Sequence, residues 1–387
     1  MTTVSPAGRY ITVSTAGEPF KAFIPDPLPP KALPSVSEYQ DLYEKANRAL
    51  GKLDGLTALL PDASLFLYMY VRKEALLSSQ IEGTQSSLSE LLLFENAAAP
   101  GVPLDDVQEV SNYVAALDHG LKRLKAGFPL SLRLIREIHK VLLSKGRGSD
   151  KEPGEFRRSQ NWVGGTRPGN AFFVPPPPEQ VMEGMGALEK FLHGEPVAVP
   201  TLIKAALTHV QFETIHPFLD GNGRLGRLLI TFLLCSEGAL SEPLLYLSLF
   251  FKRNRKQYYD LLQKVRTEGD WLGWIRFFLE GVKEASEQAC QTAVRLRKLF
   301  EKDRQRIQDL GRPAGSALRV HHHLQTKPLC TVPAAVKALR LTAPTVRTSL
   351  GHLVKLGIVR ETSGRRRNQA YVYDAYIKIL NEGTEPL

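Results

Sequence analysis

Most of this chain repeats apolar residues at intervals of three and four positions, the spacing of one face of an α-helix. The pattern starts near Val36, continues to about Ala99, and returns through most of residues 105–285. The helical segment 64–83 ends on Gly83, a residue typical of a helix C-cap, and a further helix is expected in SSLSELLLFEN soon after it. The sequence therefore predicts a mainly α fold.

Two segments interrupt the helical pattern. Residues 24–34, IPDPLPPKALP, contain too much proline for a regular helix, and we expect an extended arm on the surface of a folded part. In residues 161–181, the β-prone runs NWV and AFFV flank GGTRPGN, whose glycine, proline and asparagine are turn residues. This second segment predicts a β-hairpin.

The last part of the chain is basic. Residues 311–387 carry 12 lysines and arginines against four acidic residues, a net charge of +8, out of +10 for the whole chain. Three helical patterns there lead to GIVRETSGRRRNQAYVY, in which β-prone runs flank a basic turn. Such a segment favours a polyanion such as nucleic acid as partner, with a solvated basic surface as the alternative.

Composition favours a soluble, cytoplasmic protein. With 43% hydrophobic residues, the chain can bury a large core. The three cysteines, Cys235, Cys290 and Cys330, are far apart and have no metal-ligand spacing. The N-terminus lacks the charged and apolar regions of a secretory leader, and the apolar runs are too short to cross a bilayer. We therefore expect no membrane partner.

The loop HPFLDGNGRLGR, residues 216–227, has the composition of an anion-binding site. Gly221 and Gly223 tolerate positive φ, as Asn222 also does, so that backbone N–H groups can converge on an anion. Arg224 and Arg227 fall in the first turn of the following helix, where forked donors can meet phosphate oxygens. A diphosphate or triphosphate would suit this loop.

Asp220 and His216 add chemistry to the loop. An acid beside phosphates repels them unless a divalent cation lies between, so Asp220 predicts a Mg²⁺ site. His216 has the side chain suited to proton abstraction near neutral pH. The alternative is a structural turn in which both residues cap helices. No Gly-Lys-Ser/Thr follows and a helix precedes the loop, which excludes a P-loop and a dinucleotide fingerprint.

The whole loop resembles the signature of the Fic family. The resemblance implies a helical Fic core that transfers AMP from ATP to a hydroxyl of a target protein. It makes His216 the base and Asp220 the Mg²⁺ ligand. The ATP-binding residues it implies in the loop are Gly221, Asn222, Gly223, Arg224, Leu225, Gly226 and Arg227.

Further segments resemble the same family, over roughly residues 105–285. PGEFR at 153–157 and NRKQYYDLL at 254–262 are similar to core features, which implies that Asn254, Tyr258 and Tyr259 line the adenine and ribose side. Core packing is the alternative for one tyrosine. The hairpin resembles the family's flap, which pairs with the backbone of the target. Its candidates are Phe172, Phe173 and Val174, with burial as the alternative.

The segment SSQIEG contains Ser78, Glu82 and Gly83 and resembles the family's inhibitory helix. Ser78 and Glu82 share a helix face, and Glu82 could pair with Arg227 and take it from the γ-phosphate. An ordinary surface acid is the alternative. The same glutamate could instead position a water that removes AMP from a modified protein.

The C-terminal pattern resembles a winged helix-turn-helix. Its second helix would enter a DNA major groove and its wing would meet phosphates, with protein contact or dimerisation as the alternative. The DNA-facing residues expected on the helix and the wing are Thr345, Arg347, Thr348, His352, Arg365, Arg366 and Arg367.

The sequence thus predicts an autoinhibited protein adenylyltransferase, using ATP and Mg²⁺, whose target is a Ser, Thr or Tyr hydroxyl of another protein or of itself. A DNA-binding regulator that only senses nucleotide is the rival, and the terminal helices make a homodimer plausible. Kinase-like relatives carry a lysine at the position where this chain has Gly223, which argues against kinase chemistry here. The four parts expected are an N-terminal arm and helical region at 1–104, the Fic domain at 105–285, a helical linker at 286–310 and the winged helix at 311–387.

Overall fold

The computed structural model describes residues 3–5, 7–15, 18–59, 64–95, 104–362 and 369–385. Within these ranges the chain is mainly helical, with two small antiparallel sheets. The mainly α prediction is therefore confirmed. None of the helices in the described ranges is both long and apolar enough to cross a membrane.

The first sheet lies at the N-terminus and was not predicted. Its strands are paired in chain order and are β1 (Thr3–Ser5), β2 (Gly8–Thr15) and β3 (Glu18–Pro25). Residues 26–34 then lie on the folded core as the expected arm, where Leu28 is buried and the Gln211 side chain donates to the Asp26 carbonyl. The predicted arm is therefore correct only after β3.

Five helices follow a short 3-10 turn at Val36–Glu38. They are α1 (Gln40–Leu59), α2 (Ser64–Ile81), α3 (Leu88–Glu95), α4 (Leu104–Lys125) and α5 (Leu132–Leu142). Helix α2 ends at Ile81, and Gly83 has a φ of 101° that turns the chain toward α3. Because a left-handed backbone favours glycine, this turn requires Gly83.

The segment predicted as a hairpin forms only one β-bridge. Val163 and Phe173 exchange backbone hydrogen bonds of 2.8 and 3.1 Å, and a 3-10 turn occupies Pro168–Asn170 between them. Gly164 and Gly165 both have positive φ, and the prolines after Val174 have no N–H to extend a ladder. The two predicted strands NWV and AFFV are therefore absent, although the loop still turns back on itself.

The next six helices build the centre of the protein. They are α6 (Pro178–Leu192), α7 (Thr201–Ile215), α8 (Asn222–Ser236), α9 (Ser248–Arg253), α10 (Arg255–Glu268) and α11 (Trp271–Gln308). Helix α7 is buried on every side from Leu202 to Ile215, and it packs along α8. The 38-residue α11 passes the expected boundary at residue 285 without a break.

The C-terminal segment follows the expected order of three helices and a hairpin, with two further elements. In chain order the segment contains α12 (Ala314–Thr326), β4 (Leu329–Thr331), α13 (Val332–Leu339), α14 (Ala343–Lys355), β5 (Arg360–Glu361), β6 (Ala370–Val372) and α15 (Asp374–Asn381). The additions are β4 and α15. Strand β6 lies between β4 and β5 in the second sheet. The hydroxyls of Thr331 and Thr342 accept from backbone N–H groups in the first turns of α13 and α14, and so cap the starts of these two helices.

After α15 the chain returns to α2. The Lys73 ammonium donates to the Glu382 carbonyl at 3.0 Å, and the Gln80 side-chain amide donates to the Thr384 carbonyl at 2.9 Å. Lys252 of α9 donates to the Gln80 side-chain oxygen at 2.7 Å. The tail thus contacts the helix that ends beside Glu82.

Candidate functional site

The loop between α7 and α8 is fixed by its own side chains. His216 ends α7 in the left-handed region, with φ 49° and ψ 60°, and Gly221 has φ 76° immediately before α8. The Asn222 side chain accepts from the Phe218 N–H at 2.9 Å and donates to the Phe218 carbonyl at 2.8 Å. These two bonds close residues 218–222 into a compact turn in front of the N-terminus of α8, where an anion is favoured.

Gly223 has a different role from the one that the sequence suggested. It lies inside α8 and has a negative φ, as does Asn222. Of the three residues 221–223, Gly221 alone has the left-handed backbone that leads into α8. A Cβ at Gly223 would lie 2.2 Å from Oε1 of Glu82. The site requires glycine here for space, because the Glu82 carboxylate rests against the bare backbone.

One cavity of about 360 Å³ brings together part of the predicted site. It is bounded by the loop, the end of α2, the end of α7, α10 and the flap loop, here residues 161–174. Its lining residues are Glu82, Val163, Gly164, Phe172, Glu213, His216, Gly223, Arg227, Tyr258, Tyr259, Leu262 and Arg266. The histidine, the second arginine, both tyrosines and the glutamate of α2 therefore meet at one place.

Arg227 is held entirely by the end of α2. Its guanidinium donates to the Ser78 hydroxyl at 2.8 Å, to the Ser78 carbonyl at 2.9 Å and to Glu82 Oε1 at 2.7 Å. Burial opposes ionisation of Glu82, but Arg227 overcomes this effect and keeps the pKa of Glu82 below its ordinary value. Glu82 is thus a carboxylate at neutral pH, and it occupies donors that a phosphate would need.

Arg224, by contrast, retains unused donors. Its Nη1 donates to Glu109 of α4 at 3.2 Å, while Nε and Nη2 are buried without a hydrogen-bond partner among the described residues. Glu109 also accepts from the Thr84 hydroxyl at 3.2 Å and pairs with Arg147 at 3.2 Å. Buried unsatisfied donors beside a helix N-terminus fit an anion that would complete their bonds.

Asp220 lies at the edge of the same loop. Its side chain is 33% exposed, and its Oδ1 is 3.8 Å from Nη2 of Arg224. His139 holds the backbone of Asp220. Its Nδ1 accepts from the Gly154 N–H at 2.8 Å, so the proton of the neutral ring is on Nε2, which donates to the Asp220 carbonyl at 2.9 Å. An accessible carboxylate next to arginine donors that lack partners fits a Mg²⁺ ion carrying a nucleotide, since Mg²⁺ prefers oxygen ligands and keeps several waters.

The environment of His216 keeps its ring neutral. Burial, followed by the positive charges of Arg157 and Arg266, lowers the pKa of His216 to about 4. An imidazole with this pKa is unprotonated at pH 7 and is able to accept a proton.

Several predicted residues lie outside the cavity. Leu225 is buried in the core, and Gly226 packs on α7, where a Cβ would lie 2.3 Å from Glu213 Oε1. Asn254 lines a neighbouring groove of about 690 Å³ and donates to the Phe250 carbonyl. Tyr258 lines the cavity but is 1% exposed and hydrogen-bonded to His209 at 2.8 Å, so it also belongs to the core.

The three flap candidates divide in the same way. Phe172 is 60% exposed and reaches the cavity rim. Phe173 and Val174 are buried, Phe173 beneath Arg266 and Val174 against Phe20 and Ala22 of β3. Only the first of the three side chains points outward.

The expected DNA-facing residues of α14 are on its accessible side. Arg347 and Thr348 are exposed, and Thr345 and His352 are partly exposed. Arg365, Arg366 and Arg367 lie outside the described residues.

Sequence reasoning missed Glu109, Glu213 and Arg266, which are all buried at the site. Each is a charged residue within a helical pattern, where a position on the solvent-facing side is the usual expectation. Glu213 and Arg266 do flank known site residues along the chain, but nothing in their spacing indicates that they face inward.

Fold and site together define a helical protein with a phosphate-type anion loop between two buried helices. Residues 40–122 match the Fic/DOC family N-terminal region, and residues 129–234 match the Fic/DOC family itself, including the whole loop. Two stretches of the chain, one of them containing the whole loop, are therefore similar to the Fic/DOC family.

Two relatives carry the name Protein adenylyltransferase Fic. The one from Aedes aegypti is 35% identical over 208 residues, which is 52% of this chain and 38% of the relative. The one from Drosophila willistoni is 30% identical over 273 residues, which is 67% of this chain and 51% of the relative. The matches span about half the length of these relatives or less.

The fold is similar to a solved structure of a Fic family protein from Desulfovibrio desulfuricans G20. The TM-score is 0.57 at 20% identity, over 88% of this chain and 97% of the other. This likeness shows that the helical architecture is a Fic fold.

Proposed function

We propose that this protein is an adenylyltransferase that moves AMP from ATP to a serine, threonine or tyrosine hydroxyl of a protein. The observation that carries the proposal is the cavity lined by both His216, at the end of α7, and Arg227 of α8. A neutral base, His216, and a cationic side chain, Arg227, in one cavity suit the transfer of a phosphate-linked group. The relatives named adenylyltransferase support the same chemistry.

In the proposed reaction His216 takes the proton of the target hydroxyl. The freed oxygen forms a bond to the α-phosphorus of ATP, the bond from that phosphorus to the bridging oxygen breaks, and pyrophosphate leaves. Arg224 and the N–H groups at the start of α8 hold the phosphates. Asp220 would hold Mg²⁺, which neutralises phosphate charge when bound.

The flap loop would present the target. Phe172 stands exposed at the cavity rim, next to the Val163–Phe173 bridge. An extended target segment could add to this backbone as a further strand and place its hydroxyl near His216.

We further propose that Glu82 inhibits the transfer. Glu82 and Ser78 occupy the guanidinium of Arg227, which in the active state would bind the γ-phosphate. Without that ligand ATP could still bind, but its α-phosphate would be poorly aligned for in-line attack.

A labelling experiment tests the function. We expect ATP labelled on the α-phosphate to label protein in the presence of Mg²⁺, and ATP labelled on the γ-phosphate to leave it unlabelled. The Glu82→Gly variant should be used as the active form. His216→Ala is the control, and it should lower transfer by roughly 10²- to 10⁴-fold while ATP affinity stays the same.

Other outcomes identify the rival functions. Label from the γ-phosphate would indicate a kinase. ATP binding with no label in Glu82→Gly would indicate a nucleotide sensor. Loss of label from a modified protein, dependent on Glu82, would indicate that AMP removal also occurs.

For residues 311–387 we propose a winged helix that binds duplex DNA. The three helices, the β5–β6 hairpin and the exposed Arg347 and Thr348 of α14 support this assignment. A cytoplasmic location and a homodimer stay predictions from the sequence.

A further inference from the structure

His216 has a backbone conformation that a histidine does not adopt without support. Its φ of 49° and ψ of 60° lie in the left-handed region. Such a conformation is unfavourable for residues other than glycine, and it persists only where the surroundings fix it. The contacts that fix it come from two arginines on different parts of the chain.

Arg157 holds the backbone from the side of the flap loop. Its Nε donates to the His216 carbonyl at 2.9 Å, and its Nη2 donates to the carbonyls of Ile215 and Pro176. Its own N–H donates to the Pro217 carbonyl at 2.9 Å. Arg157 is 2% exposed, so one buried guanidinium connects the residues around His216 to Pro176, just after the flap loop.

Arg266 holds the preceding turn from the side of α10. Its Nε donates to the Thr214 hydroxyl at 3.1 Å and its Nη2 to the Glu213 carbonyl at 3.2 Å. Its guanidinium carbon lies 3.8 Å from the ring centre of Phe173, in the geometry of a cation–π contact. Arg266 therefore joins the last turn of α7 to the flap loop from the opposite direction.

We propose that Arg157 and Arg266 are positioning residues for the reaction, which fix His216 from two sides and keep it in register with the flap loop. This inference rests on the proposed function for the role of His216. It adds two residues that act through the histidine.

The charges of the two arginines support the same conclusion. After burial, Arg157 and Arg266 are the next causes that lower the pKa of His216. The other charged or titratable groups that line the cavity with His216 are Glu82 just after α2, Glu213 of α7, Arg227 of α8, and Tyr258 and Tyr259 of α10. Glu82 acts in the opposite direction and raises the pKa of His216. Removing either arginine should therefore make the ring easier to protonate.

The test is an NMR titration of the full chain carrying ring-labelled histidine. The protein has nine histidines, and the His216→Ala variant assigns the His216 signal. In Arg266→Met we expect the titration midpoint of His216 to rise by about one pH unit. Lys264→Met removes a charge from an exposed position of the same helix, and it should leave that midpoint in place.

Arg266→Lys keeps the charge but loses the fork. We expect an unchanged midpoint in this variant, together with a kcat about tenfold lower and an unchanged KM for ATP in the Glu82→Gly background. We expect Arg157→Met to raise the His216 midpoint and Arg157→Lys to lower kcat at an unchanged midpoint, as at Arg266. If Arg266→Met unfolds, the split between midpoint and kcat in Arg266→Lys still tests the proposal.

Unchanged His216 midpoints in folded Arg157→Met and Arg266→Met would overturn the inference. The titration needs no activity, so the two proposals fail separately. A shifted midpoint in a protein that transfers no AMP would reject the proposed function, while the effect of the two arginines on His216 would still stand.

Discussion

At the scale of single residues, His216 and Gly223 show how the site depends on what surrounds each side chain. The ring of His216 is neutral at pH 7 because burial and two nearby arginines lower its pKa. Gly223 matters for the side chain it lacks, since a Cβ there would collide with the Glu82 carboxylate. Neither property belongs to the residue alone.

The pH dependence of the reaction should reflect this setting. In the proposed reaction neutral His216 accepts the proton, and its folded pKa of about 4 lies below the ordinary value of 6.5. We therefore expect kcat/KM of Glu82→Gly to show no loss from His216 protonation between about pH 6 and 8, and to fall only as the pH approaches 4. A pH–rate profile measured under steady-state conditions checks this.

Glu213 requires a control, because burial raises its pKa to about 7 and it lines the same cavity. If the rate changes near pH 7 and this change disappears in Glu213→Gln, the titration of Glu213 is its cause. A half-maximal rate near pH 6.5 that persists in Glu213→Gln would contradict the neutral state assigned to His216.

At the scale of elements, the end of α2 works as one unit with α8. Ser78 lies on the last turn of α2 and Glu82 lies just beyond it, and both bind Arg227. The turn that follows is anchored on α4, where Thr84 donates to Glu109 and the Gln85 N–H donates to Asp106 at 2.8 Å. The position of Glu82 is thus fixed from both sides along the chain.

Glu82→Gly should raise both self-modification and target modification. The substitution removes the carboxylate and leaves Arg227 on Ser78, free to reach the γ-phosphate. Since Glu82 lies after the end of α2, lost helix propensity should lower the free energy of unfolding by about 1 kcal/mol or less, and leaving the buried Arg227 without its carboxylate should lower it by up to about 3–5 kcal/mol more. Transfer from α-labelled ATP and thermal unfolding measure the two effects.

Glu268 provides a matched control for this experiment. It also precedes a glycine with positive φ, Gly269, at the end of a helix, and it is exposed. Glu268→Gly should therefore leave transfer unchanged. Equal transfer by Glu82→Gly and the wild type, at saturating ATP and Mg²⁺, would show that Glu82 does not inhibit.

At the scale of the whole molecule, charge and site are separated along the chain. Residues 311–387 carry most of the net positive charge, whereas the loop at 216–227 lies near the middle of the sequence. The long helix α11 joins the two parts and packs against α1, α12 and α15. Two different polyanions, a nucleotide and a nucleic acid, could therefore bind at separate places.

Duplex DNA binding by the full chain should weaken steeply with salt. Each phosphate neutralised by an arginine or lysine contributes about −0.9 to the slope of log affinity against log salt. Arg347→Ala should make that slope shallower by about one unit. Fluorescence anisotropy with a labelled duplex measures it, and Lys256→Ala, on an exposed side chain of α10, is the control. Absence of binding at low salt would reject the DNA proposal.

The sequence predicted the helical fold and the loop because both depend on local signals. Helical spacing is visible in any window, and Glu82 could be paired with Arg227 because the loop motif is long and specific. The N-terminal sheet was missed although RYITVST and EPFKAFIP contain β-prone residues on either side of a turn. The burial of Glu109 and Arg266 depends on helices distant in the chain, which no local pattern reveals.

The tail bonds to α2 also set an order of events during synthesis. Gln80 and Lys73 are separated from their carbonyl partners by 304 and 309 residues. On the ribosome, α2 must therefore remain without these contacts while those residues are translated, even though its partners in α4 and α8 are already available. A nascent chain released early would carry the complete anion loop and Glu82, but one side of α2 would lack its last hydrogen bonds.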